Sequence, residues 1–115
     1  MKLSKEDQKM LDEYEEELNH KGKLSEEEIM SLISLMETNP YDSMRSLMDN
    51  YLPYAYKIAL KYHHPRLTLL DFVHAANEGL EIAITTGSYH DINSLQKAIE
   101  ETINDSIKLM LSYMD

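Results

Sequence analysis

Apolar side chains recur every three to four residues along almost the whole chain, and no stretch alternates at period two. The longest stripe reads Met44, Leu47, Met48, Tyr51, Leu52, Ala55, Ile58, Ala59, Tyr62. Residues at that spacing share one face of a helix, whereas a half-buried strand needs strict alternation. The expected fold is therefore all-α, a compact bundle of about five helices. At 115 residues, 43% of them hydrophobic and with three Gly and three Pro, the chain suits one folded domain rather than a disordered segment.

Helix ends can be read from capping chemistry. Ser4 with Asp7, Ser25 with Glu28, and Thr68 with Asp71 each have the spacing of a capping box. Leu24 and Ile29 have the spacing of a hydrophobic staple. Asp42 is expected to cap a helix after the stop at Thr38-Asn39-Pro40. Pro53 falls inside the longest stripe, where it removes the bond to the Asp49 carbonyl. That predicts a kinked helix, or two stacked ones.

The first helix, ending near His20-Lys21-Gly22, has only Met10, Leu11, Tyr14 and Leu18 as a stripe, beside a run of carboxylates. Residues 1–23 are thus expected to form an acidic, loosely docked helix, and residues 24–115 the main helical domain. Leu69, Phe72, Val73, Ala76, Leu80, Ala83 and Ile84 line a fourth helix, and Leu95, Ile99, Ile103, Ile107, Met110 and Met114 the last. Gly79 stands mid-helix at a cost of up to about 1 kcal/mol relative to Ala, which calls for a close helix crossing.

Composition excludes several functions. The formal charge is −10, with −6 over residues 1–40, +2 over 41–70 and −6 over 71–115. Unaided binding to nucleic acid needs clustered cations, so it is disfavoured. There is no cysteine, hence no disulfide and no thiolate chemistry. No His pair stands at the i, i+4 spacing of a zinc site, and His63-His64 falls where a cation suits a helix C-terminus. Gly22, Gly79 and Gly87 are isolated, so no phosphate loop exists. The chain is read as a non-enzymatic protein without metal or cofactor. Four tyrosines, at 51, 54, 56 and 62, crowd one helix. Tyr51 and Tyr62 are expected in the core, with Tyr54 and Tyr56 partly exposed. No apolar run could span a bilayer, and the N-terminus lacks a signal-peptide h-region, so a cytoplasmic location is expected.

Residues 47–84, LMDNYLPYAYKIALKYHHPRLTLLDFVHAANEGLEIAI, carry a more specific pattern. An apolar helix ends in Lys61-Tyr62, and a polar turn follows. A second helix opens with Leu70-Asp71 and continues to Asn77-Glu78-Gly79-Leu80. This resembles the second conserved region of the sigma factors of bacterial RNA polymerase, and the resemblance extends over roughly residues 24–111. In that family the second helix docks on a coiled coil of the polymerase β′ subunit. The resemblance therefore implies the RNA polymerase core as partner, with Asp71, His74, Asn77, Glu78, Leu80 and Glu81 as docking residues. The family's usual Gln-Glu pair is His74-Ala75 here, so one acidic contact is lost.

The family's promoter-melting aromatics are also absent. Matching positions on the last helix hold Glu100, Glu101 and Asp105, which repel phosphates, and no length remains for the promoter-reading helix-turn-helix region. Three readings follow. The first is a sigma-like docking protein, acting as a split sigma subunit or a regulator and meeting promoter DNA only within the polymerase complex. The second is a stand-alone promoter-binding factor using Arg45, Lys57, Lys61, Arg66 and Tyr89. The third is an acidic adaptor or inhibitor that reuses the fold. Met110, Leu111 and Met114 could form a dimer seam, and the sequence leaves the oligomeric state open.

Overall fold

A computed structural model describes residues 3–114; positions 1, 2 and 115, at the outer ends of the two expected ranges, lie outside it. Five helices follow in order: α1 Lys5–Leu18, α2 Glu26–Leu35, α3 Pro40–Ala59, α4 Leu69–Thr86 and α5 Ile92–Ser112. The architecture is an all-α bundle.

The capping residues set most of these boundaries. Ser25 and Glu28 form a reciprocal box at the start of α2, and Thr68 and Asp71 do the same for α4. At α1 the box is half made: the Ser4 hydroxyl accepts from Asp7 N–H at 3.1 Å, with no return bond from Asp7. Asp91 caps α5 by accepting from Ser94 N–H. The expectation for Asp42 is corrected. Pro40 occupies the first turn of α3 and Asn39 is its N-cap, while Asp42 lies inside the helix as an acid favoured by the dipole. The buried Ser43 hydroxyl donates back to the Asn39 carbonyl at 2.8 Å, closing that turn without a side-chain cap. Pro53 sits inside one continuous α3, so the alternative of two stacked helices is excluded.

The core is a single cluster drawn from α2 to α5. Leu47, Leu80, Ile84, Leu95, Ile99, Ile103 and Ile107 are fully enclosed, and Phe72 nearly so. Tyr51 is buried and receives a hydrogen bond from Gln96, while Tyr62 is half-buried and stacks on Phe72 at 5.9 Å. Gly79 explains how α4 and α5 cross. A Cβ there would stand 2.7 Å from Ile103 Cα and 2.8 Å from the Thr102 carbonyl. Both neighbours are backbone and cannot turn aside, so only glycine permits this separation.

α1 is attached differently. It buries Leu11 and Leu18, each worth about 1.5–3 kcal/mol, and both stand outside the main cluster. Met10, expected on the apolar stripe, is exposed because that stripe covers too narrow an arc to reach it. Glu15, Glu16 and Glu17 crowd its C-terminal end, where the helix dipole disfavours anions, and the last turn holds no basic residue. A helix of 14 residues is marginal alone, so α1 owes its order to this thin seat.

Candidate functional site

The capping box at Thr68 fixes the start and phase of α4, and the Gly79 crossing presses its inner side onto α5. What remains outward is a strip formed by His74, Glu78, Glu81, Ile82 and Thr85. Asp71 heads this strip, half-buried, with its carboxylate accepting from Thr68 N–H at 2.8 Å. It is therefore engaged in capping as well as available at its rim.

Of the six expected docking residues, His74, Glu78 and Glu81 are exposed together on this strip. Leu80 is corrected: it is 0% exposed and belongs to the core with Ala76, Ala83 and Ile84. A single residue's rotation of about 100° separates it from exposed Glu81, and a motif match does not register that phase. Asn77 lies on the flank. It is half-buried, its Nδ2 donates to the Tyr14 hydroxyl of α1 at 3.2 Å, and its buried Oδ1 has no hydrogen-bond partner among the described residues.

On the opposite flank the strip opens into a groove between α4 and α5. It has a volume of about 460 Å³, with Asp71, His74, Glu78 and Ile82 on one wall and Leu109, Met110 and Tyr113 on the other. Ile82, Leu109 and Tyr113 are 41%, 59% and 80% exposed. Large apolar side chains clustered this way on a surface mark interaction sites. No Lys or Arg lines the groove, so its electrostatic character is acidic. Sequence reasoning missed Ile82, Leu109 and Tyr113. A signal was present in their apolar character on the polar side of two amphipathic helices. Met110 was expected to be buried with the core and is half-buried at the groove, and Met114 is half-buried at the chain end.

Of the candidate DNA-binding residues, Lys57 and Lys61 stand four residues apart across the end of α3, and Arg45 lies away from them. Arg45 and Lys57 are exposed on α3 but twelve residues apart, about 18 Å along the axis. Lys61 and Arg66 are exposed in the connection to α4. Tyr89, expected as a free aromatic, is corrected: it is half-buried, its ring folds over Gly87, and its hydroxyl donates to the Ala83 carbonyl. It closes the end of α4, and burial raises the pKa of its phenol. On α5, Glu100, Glu101 and Asp105 are exposed beside Lys97 and Lys108, and Asn104 accepts from the Tyr62 hydroxyl at 2.5 Å.

His64 Nδ1 accepts from Arg66 N–H at 3.0 Å in the α3–α4 connection. Among the described residues, no three His, Asp or Glu side chains are placed to share an ion. No helix among the described residues is long and apolar enough to cross a membrane.

Comparisons with protein-family models, curated proteins and solved structures found no match to this chain. The functional reading therefore rests on the residues and on the geometry just described.

Proposed function

We propose that this protein is a sigma-like transcription protein that docks on the RNA polymerase core, at the β′ coiled coil, through the outer face of α4. In this reading it acts in the cytoplasm as one half of a split sigma factor or as a regulator of the sigma site. It performs no catalysis and has little or no affinity for DNA on its own. The observation that carries the proposal is the α4 strip itself: three ionisable side chains aligned on one helix beside an open apolar groove.

Such a surface suits a helical partner with cations along one edge. Glu78 and Glu81 would pair with those cations, and complementary charge speeds encounter and fixes register. Ile82, Leu109 and Tyr113 would lose their water on docking, and buried apolar and aromatic anchors supply most of the affinity at such interfaces. The loss of the usual acid at Ala75, which is buried here, leaves Glu78 and Glu81 as the nearest replacements. The net charge of −10 and the engaged Tyr89 weigh against stand-alone promoter binding.

Co-purification with bacterial core polymerase tests the reading. Wild type should be retained, and Glu78→Lys, an exposed substitution that leaves the fold intact, should be lost from the complex. Equal failure of both proteins would sink the docking role and leave the acidic adaptor in its place. A mobility shift of promoter DNA by this protein without polymerase would instead support the DNA-binding alternative.

A further inference from the structure

We infer that α1 is a detachable cover over the Asn77 flank of α4, hinged at Gly22, and that a partner reaches the whole α4 face only after α1 lifts. The inference rests on the docking role proposed for that face.

Three observations support it. The first is what α1 covers. The Tyr14 hydroxyl accepts from Asn77 Nδ2 at 3.2 Å, so the flank of the strip nearest α1 is occupied by the chain itself. The second is how poorly the seat satisfies its polar groups. Asn77 Oδ1 is buried without a partner among the described residues, and a buried acceptor left unsatisfied is costly. The seat also includes a Tyr14–Tyr56 edge contact at 6.2 Å, a Tyr56 hydroxyl donating to Glu15, and the leucines at 11 and 18. The third is the hinge. Gly22 has φ 76°, in the left-handed region where glycine moves at no steric cost. Immediately after it, Leu24 N–H is anchored to Asn50 Oδ1 at 3.2 Å. The chain is thus fixed to the bundle at Leu24, and just before the glycine Lys21 pairs with Asp49 at 3.7 Å, a contact that must break for α1 to lift.

Net charge gives the cover a direction of response. α1 contains seven acidic and two basic residues. A cationic partner attracted to Glu78 and Glu81 also attracts the α1 carboxylates, which can exchange their seat for contacts with it. The cover lowers the apparent affinity by the fraction of molecules in which it is open.

The test uses the full chain in three forms. Leu11→Ala/Leu18→Ala weakens the seat, and Tyr14→Phe removes only the hydroxyl. Glu15→Cys/Tyr56→Cys joined by a short bis-maleimide locks the seat, in a protein that has no other cysteine. Hydrogen exchange on the free wild type should show α1 amides exchanging at least a hundredfold faster than those of α4 and α5. Tyr14→Phe should accelerate α1 further while α4 and α5 stay protected. On core polymerase the opened variants should bind at least threefold tighter than wild type, and the locked form at least tenfold weaker. Protection of α1 equal to that of α5, or equal binding by opened and locked forms, overturns the cover. Fast α1 exchange with no binding by any form sustains the cover and defeats the docking role instead.

Discussion

Two helix contacts in this molecule follow opposite principles. Where α4 crosses α5, the backbones approach until Gly79 admits no Cβ, and the surrounding isoleucines are wholly enclosed. Where α1 meets α3 and α4, the contact is made through tyrosine tips, one amide and two leucines. Close apolar packing gives a contact one geometry and a large penalty for change. A contact made by side-chain ends and two leucines has less to lose by opening. The first builds the platform on which the α4 strip is held, and the second leaves part of that strip negotiable.

The contrast is sharpest at Ile103, which lies under Gly79. Ile103→Ala should lower global stability by about 2–5 kcal/mol in chemical denaturation, because a fully enclosed side chain leaves a cavity that backbone contacts prevent from collapsing. Gly79→Ala should cost about 1–3 kcal/mol, even though alanine is the better helix former, because the added methyl meets backbone on α5. A Gly79→Ala protein as stable as wild type would show that the crossing can relax, and would remove half of the comparison.

Leu11→Ala should behave differently. α1 can undock before the bundle unfolds, so the loss is capped at the energy of its seat, and the main unfolding transition should change by less than about 1 kcal/mol. Exchange of α1 amides should nevertheless rise strongly. A full core-type penalty at Leu11 would mean that α1 belongs to the same cooperative unit as α5.

The smallest effect concerns pH. Burial raises the phenol pKa of both Tyr14 and Tyr56, and the neighbouring Glu15 adds to the rise at Tyr56. A folded-state pKa above the unfolded value of about 10 gives stability that is complete below pH 10 and is lost as pH climbs through the folded value. The α1 seat should thus loosen on the alkaline side. Tyr51, Tyr62 and Tyr89 of the bundle are raised by burial too, and the seat should yield first because fewer enclosed side chains hold it. Exchange measured across that range would show it, and simultaneous loss of both contacts would blur the distinction.

Much of the fold was legible because its boundaries are chemical. Ser25 and Thr68 start helices through hydrogen bonds to residues three positions away, and such local bonds leave a local sequence signature. Gly79 was legible for a related reason, since a glycine amid strong helix formers demands a cause. The surface was harder. Asn77 and Tyr14 are 63 residues apart, and nothing in either neighbourhood encodes their meeting. Leu80 was placed in the docking set by its position in a motif, although its place on the apolar stripe already put it inside. Tyr89 reads as a loop aromatic until the α4 terminus is seen to need a donor for the Ala83 carbonyl. The groove at Ile82 and Leu109 depends on how two helices splay, which periodicity does not specify.

The most direct measurement is photo-crosslinking from position 82, on the edge between the acidic strip and the groove. With a photoreactive residue in place of Ile82 and core polymerase present, the account predicts a crosslink to the β′ subunit that Glu78→Lys abolishes. Crosslinks confined to a second copy of this chain, or none at all with polymerase in excess, would contradict it.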